Sequence, residues 1–211
     1  KKADELKISV KKPLNGKILA TLFYEPSTRT RLSFESAMLR LGGNVISTEN
    51  AKEFSSAIKG ESLQDTIRII SSYADLAVIR HFEEGAAKTA ALVSSIPIIN
   101  GGDCAGQHPT QALLDLYTIW KEIGMIDNVT IAMVGDLKFG RTVRSLCYLL
   151  GKFNDIKIIF ISPQHLSIKD DIKDYLKKHN VQFEEKTELD KFLPLVDILY
   201  MTRIQKERMS D

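Results

Sequence analysis

Apolar runs of about five residues recur along this chain, and between them apolar side chains return every three or four positions. That alternation of strand-like and helix-like patterns is the signature of repeated β-α units around a mostly parallel sheet. The runs predict strands at Ile18 to Tyr24, Leu76 to Arg80, Ile96 to Asn100, Val129 to Val134, Lys157 to Ser162, Gln182 to Glu185 and Asp197 to Thr202. Phe34, Ala37, Met38 and Leu41 follow helical spacing and stop at Gly42-Gly43. Leu113, Leu116, Tyr117 and Trp120 repeat it up to Gly124, Leu63, Thr66, Ile67 and Ile70 mark a third helix, and Lys169 to Lys178 a charged one with Ile172, Tyr175 and Leu176 inside. The segment Ile123 to Asn128 separates one such series from a fresh strand, so the expected architecture is α/β: two Rossmann-like domains, 1–124 and 125–211, each a mostly parallel sheet flanked by helices.

Charge narrows the classes of partner. Lys plus Arg number 29 and Asp plus Glu 27, a net of +2. A near balance argues against a generic nucleic-acid or membrane-surface binder, which carries a basic excess. No apolar run approaches the ~20 residues that cross a bilayer. Cys104 and Cys147 lie in unrelated contexts, which argues against a disulfide framework or a zinc site and suits a reducing, cytoplasmic setting. The chain begins at Lys1 without an initiating Met and stops just after a charged stretch, so a fragment is expected.

The chemistry is concentrated where strands give way to helices. Ser27-Thr28-Arg29-Thr30-Arg31 follows the strand ending Leu22-Phe23-Tyr24 and opens the first helix. A helix N-terminus offers unpaired NH groups and the positive end of the macrodipole, so hydroxyls and a guanidinium added there suit a phosphate. Ser27 alone would read better as a simple N-cap; the run of five donors favours the anion site. Gly135-Asp-Leu-Lys-Phe-Gly140-Arg141-Thr142 nearly matches the phosphate loop of NTPases, but Arg141 replaces the lysine that reaches the terminal phosphates; a guanidinium suits a carboxylate better. His108-Pro-Thr-Gln111 opens the Leu113 helix after the loop Gly101 to Gln107. Arg80 ends a strand, Ser55, Ser56 and Lys59 sit in the stretch 51–60, and Arg203 and Gln205, two apart, face one way in extended chain. In open α/β sheets the carboxyl ends of strands are where ligands bind.

Nearly all of these groups donate hydrogen bonds, and none is an acidic base or a nucleophile with an evident partner. Asp136, the one acid among them, reads as a loop cap or a structural partner of Arg141. A site of this kind binds polyanions and stabilises developing negative charge, which suits a transfer in which the substrates supply nucleophile and leaving group. No metal-ligand spacing and no cofactor motif is present in the sequence.

Phe23-Tyr-Glu-Pro-Ser-Thr-Arg-Thr-Arg31 with Ser33-Phe34-Glu35, and His108-Pro-Thr-Gln111, resemble the carbamoyl-phosphate motifs of the transcarbamoylases. Gly135 to Thr142 and Met201-Thr-Arg-Ile-Gln-Lys-Glu-Arg208 resemble the aspartate-binding segments of aspartate transcarbamoylase catalytic chains rather than those of the ornithine enzyme. The resemblance implies a carbamoyl-phosphate-binding domain, an aspartate-binding domain incomplete at its C-terminus, and carbamoyl transfer to L-aspartate in pyrimidine biosynthesis. It implies that Ser27, Thr28, Arg29 and Thr30 hold the phosphate, that Thr30, Arg80 and His108 polarise the carbonyl, and that Gln111 meets the carbamoyl amino group. It implies further that Arg141, Arg203 and Gln205 grip the aspartate carboxylates, with Lys59 as another aspartate-binding residue. Ser55 and Lys59 would enter a neighbouring subunit's site, giving a homotrimer with shared active sites, with a regulatory chain or fused pathway enzymes as further partners. Family chains also have a leading helix, a later His-Pro-Leu-Pro-Arg-like motif and a final helix. The first is mostly missing here and the other two are absent, and Ile58 replaces a residue that is polar in many members. A nucleotide-binding phosphate loop and a non-catalytic homologue or scaffold are the competing readings.

Overall fold

The computed structural model describes residues 12–49, 60–104 and 107–203; Ser55, Lys59 and Gln205 lie outside them. It divides into two compact units, one ending at Gly106 and the other beginning at Gln107, each built on its own four-stranded sheet.

The first unit runs β1 (Ile18–Phe23), α1 (Thr28–Arg40), β2 (Asn44–Glu49), α2 (Leu63–Ile70), β3 (Leu76–His81), α3 (Ala86–Val93), β4 (Ile98–Asp103). Its strands are all parallel, in the order β2-β1-β3-β4. Helices on both faces explain why β1 is nearly continuously apolar, as strands buried on two sides must be. Leu19 and Phe23 pack with Met38 and Val78 on the α1 side, while Leu22 joins Ile67, Ile79, Ala87 and Ala90 on the other. β4 departs from expectation, because it continues through Gly101 and Gly102 to Asp103 instead of ending at Asn100. The register with β3 passes from Ile79↔Asn100 to His81↔Asp103, so two glycines stand opposite Arg80. An irregularity of this kind re-aims the side chain beside it.

The second unit runs α4 (Pro109–Ile123), β5 (Thr130–Val134), α5 (Arg141–Leu150), β6 (Lys157–Ile161), α6 (Asp170–Lys178), β7 (Gln182–Lys186), β8 (Ile198–Met201). Its strands, again parallel, follow the order β7-β6-β5-β8. One face is covered by α4, α5 and α6; across the other lie Leu189, Phe192 and Val196 against Ala132, Val134, Ile159 and Ile161. By its packing α4 goes with this unit. The reason is its buried stripe, which is Ala112, Leu116 and Ile119 in the core of the second sheet, while Leu113 and Tyr117 stay exposed.

Both sheets reverse their winding once. In the first, the chain steps from β1 outward to β2 and then returns to the other side of β1 for β3; in the second, β8 returns to the far side of β5. At such points the crossovers leave to opposite faces and open a crevice at the carboxyl ends of the two strands. The crevices therefore lie beyond Phe23 and Arg80 in one unit and beyond Val134 and Met201 in the other. No helix among the described residues is long and apolar enough to cross a membrane.

Candidate active site

The segment 27–30 opens at the β1/β3 crevice. Ser27 is the N-cap of α1 by position, yet its side chain makes no capping hydrogen bond, and the first turn carries no acidic residue. The simple-cap reading of Ser27 thus fails, and the positive end of the helix faces the crevice with Thr28 and Arg29 exposed. Arg80 reaches the same turn. Its guanidinium pairs with Glu25 through Nη2 at 2.8 Å and donates from Nη1 to the Gly101 carbonyl at 3.3 Å, and it is only 8% exposed. The bond from Tyr24 N to the Arg80 carbonyl, 2.9 Å, ties the two strand ends together. Arg31 is different. It turns toward the sheet, beside Glu35 and Ser47, where Glu35 also accepts from Thr21 and Ser47 at 2.9 and 2.7 Å. That polar group under α1 fixes the helix on the sheet and takes Arg31 out of the donor cluster.

His108 and Gln111 lie at the start of α4, which again has no side-chain cap and no acid in its first turn, with Pro109 at its beginning. The backbone NH of His108 donates to Ser145 Oγ of α5 at 2.9 Å, and Ser145 donates in turn to Gln107 Oε1 at 2.7 Å. His108 is buried, with Nδ1 3.4 Å from Thr110 Oγ1. Gln111 donates from Nε2 to Asp115 Oδ1 at 2.9 Å.

The Gly135 loop bridges β5 and α5 at the β5/β8 crevice. Gly135 has φ +114°, and a Cβ there would lie 2.6 Å from Thr202 Oγ1 and 2.7 Å from the Thr202 carbonyl oxygen. Close approach brings β8 in: Thr202 N donates to the Val134 carbonyl at 2.8 Å, and its hydroxyl lies 3.2 and 3.4 Å from the carbonyls of Val134 and Asp136. Asp136, fully buried, accepts from Phe139 N at 2.9 Å and so caps the loop from inside, the structural role its position suggested. Arg141 begins α5, whose first turn likewise lacks acid and side-chain cap, and exposed Arg203 follows Thr202 directly.

The structure thus brings Arg80 to the turn that precedes Ser27, and the Arg203 segment to the loop that precedes Arg141. Glu25, Ser145, Asp115 and Tyr200 are site-supporting residues that sequence reasoning missed. Of these only Asp115 left a signal, since Gln and Asp one helical turn apart form a recognised pair.

Beside Arg80, His81 has a structural role. Its ring packs against Phe82 and Tyr24, centroids 4.3 and 4.7 Å away, and Nδ1 accepts from Glu83 N at 3.0 Å. Burial holds its pKa below the ordinary 6.5, with Glu83 opposing. Above that pH the folded and unfolded forms are both neutral; below it the unfolded chain takes up a proton that the folded one refuses, so stability falls as pH drops. Urea midpoints measured between about pH 7.5 and 5.5 are expected to fall less in His81→Gln than in the parent. Parallel curves would show that His81 titrates alike in both states.

Residues 1–121 match the family model described as aspartate/ornithine carbamoyltransferase, carbamoyl-P binding domain. The chloroplastic aspartate carbamoyltransferase of Arabidopsis thaliana is 61% identical over 94% of this chain, which spans about half (51%) of that relative's length. The aspartate carbamoyltransferase catalytic subunit of Methanocaldococcus jannaschii is 58% identical over the whole chain and 69% of its own. Among solved structures, the aspartate transcarbamoylase of Trypanosoma cruzi in complex with carbamoyl aspartate and phosphate matches at 42% identity and a TM-score of 0.90, covering 100% of this chain and 70% of that one. With the matched domain extending over more than half of its residues and the M. jannaschii relative aligned along the whole of this chain, the chain belongs to the aspartate/ornithine carbamoyltransferase family.

Proposed function

We propose that this chain carries most of the active site of an aspartate carbamoyltransferase, which moves the carbamoyl group of carbamoyl phosphate to the amine of L-aspartate in pyrimidine biosynthesis. The observation that carries the reading is that each sheet's crevice is lined by donors for a different anion. At the β1/β3 end, Ser27, Thr28, Arg29 and Thr30 with the uncapped α1 terminus suit a phosphate. At the β5/β8 end, Arg141 and Arg203 suit the two carboxylates of aspartate, with Gln205 as a third contact. The similarity to the T. cruzi enzyme seen with product and phosphate favours the same pairing of ligands.

In the reaction the aspartate nitrogen forms a bond to the carbamoyl carbon, the carbon–oxygen bond to phosphate breaks, and the amine proton leaves with the phosphate. Negative charge grows first on the carbonyl oxygen and then on the phosphate. Thr30, Arg80 and His108 answer the former, and the 27–30 segment the latter. Gln111 accepts from the carbamoyl NH2. Arg80, locked by Glu25 and the Gly101 carbonyl, needs no reordering when charge develops. A domain division at residue 124, a homotrimer, association with a regulatory chain or fused pathway enzymes, and a reducing cytoplasmic setting belong to the same proposal; for the last, the chain's only two cysteines, Cys104 and Cys147, lie in unrelated sequence contexts.

The direct test is formation of carbamoyl aspartate by the full-length protein, with L-ornithine giving none; no product from aspartate overturns the proposal. The shared site makes a separate prediction, with Ser55 and Lys59 supplied by the neighbouring subunit. Arg29→Ala and Lys59→Ala proteins are each expected to be inactive, while mixed trimers recover activity, because some sites then receive both intact halves. Verified mixed trimers that stay inactive would exclude sharing.

A further inference from the structure

Gln111 and Asp115 stand four residues apart on α4, one above the other on the same face. Asp115 Oδ1 accepts from Gln111 Nε2 at 2.9 Å, and Oδ2 accepts from the Tyr200 hydroxyl at 3.0 Å. Tyr200 lies on β8, three residues before Arg203, and Thr142, next to Arg141, hydrogen-bonds the same phenol. Burial pushes the Tyr200 phenol far up, so it remains a donor. Burial also raises the Asp115 carboxyl, and the two hydrogen bonds oppose that shift.

A carboxylate has no proton to give, so both of its partners must donate. This settles the Gln111 amide: the NH2 turns to Asp115 and the carbonyl Oε1 turns away. A carbamoyl group ends in an NH2, which needs an acceptor. An amide flipped the other way would set donor against donor, leaving two polar groups unpaired.

We propose that Asp115 is a positioning residue, which holds Gln111 with its acceptor oxygen toward the carbamoyl amino group and is itself held by Tyr200 of the strand that leads to Arg203. This rests on the carbamoyl-transfer reading of the site. The alternative role for the same contacts is a plain tether between α4 and β8, which would affect stability alone.

Four variants of the full-length enzyme separate the two: Gln111→Ala, Asp115→Ala, their double, and Tyr200→Phe, each measured as kcat/KM for carbamoyl phosphate at saturating aspartate. Gln111→Ala and Asp115→Ala are each expected to lose about tenfold, and Tyr200→Phe about threefold. The double variant should be no worse than Gln111→Ala, because Asp115 acts only through that side chain. Should Asp115→Ala fail to fold, Tyr200→Phe combined with Gln111→Ala supplies the same cycle. Losses that multiply, or an Asp115→Ala enzyme with unchanged kcat/KM beside an impaired Gln111→Ala, overturn the positioning role. An active parent indifferent to Gln111→Ala, or a parent that forms no product, instead brings down the underlying reading of the site, and the inference with it.

Discussion

Alanine in place of Gly135 is expected to destabilise the protein by about 2–6 kcal/mol and to cost most of its use of aspartate. Two costs combine. A φ of +114° is closed to ordinary L residues, and the new methyl would lie 2.6–2.7 Å from Thr202, one of the two atoms being backbone. Strain of the first kind amounts to about 1–3 kcal/mol, and overpacking of the second to about as much again. Relief comes only if Thr202 backs away from β5, which breaks its bonds to Val134 and Asp136 and carries Arg203 with it. Gly124 is the control. Its φ is +85° but nothing lies within 4 Å of a Cβ built there, so Gly124→Ala should cost about 1–2 kcal/mol and spare activity. Urea unfolding of both variants beside aspartate kinetics decides the matter. Equal, mild destabilisation would mean that the Gly135–Thr202 contact has room to give.

Arg141→Ala and Arg203→Ala are each expected to lower kcat/KM for aspartate about 10- to 150-fold, the worth of a charged hydrogen-bonded contact of about 1.5–3 kcal/mol. The carboxylates of aspartate keep their charge throughout the reaction, so the loss should fall mainly on KM rather than kcat. Affinity for carbamoyl phosphate should hardly change. Arg141→Lys tests geometry against charge: an ammonium keeps the charge but loses the planar fork, so it should recover only part of the loss. Loss of carbamoyl phosphate binding with aspartate use intact would reverse the division of roles between the two crevices.

The elements read most easily from sequence were those buried on two sides or strongly amphipathic. β5 and β6 are apolar runs under helices, and α1 and α2 show spacing that no strand could imitate. β2 was missed because Asn44-Val-Ile-Ser-Thr-Glu49 is an edge strand with only Val45 and Ile46 apolar, the other four residues being polar. α3 was missed because it buries alanines, Ala86, Ala87 and Ala90, and small residues on a sheet carry little periodic signal. The glycines of β4 read as a loop start because sequence cannot show that the facing residue is a large arginine needing room. At the site, donors could be recognised from their residue types and their place at strand ends. Which donors are already engaged could not, since Arg31 differs from Arg29 only in facing Glu35 and Ser47. The partners Glu25, Ser145 and Tyr200 are matched to their targets through folding across 55, 37 and 85 residues, a distance at which no local pattern speaks.

The beginnings of the helices differ in one further respect. α2 is closed by the Ser62 side chain and carries Asp65, and α6 carries Asp170 and Asp171, so these helices supply their own negative ends. The helices that open at the candidate site, α1, α4 and α5, have neither device. An N-cap is worth about 0.5–2 kcal/mol, so these helices forgo stability that a single serine or aspartate would have supplied. A bound oxyanion is the chemical equivalent of that missing residue. On the proposed function the reactants complete the secondary structure they bind to, and part of the folding free energy of this protein is then lent to it by its own ligands.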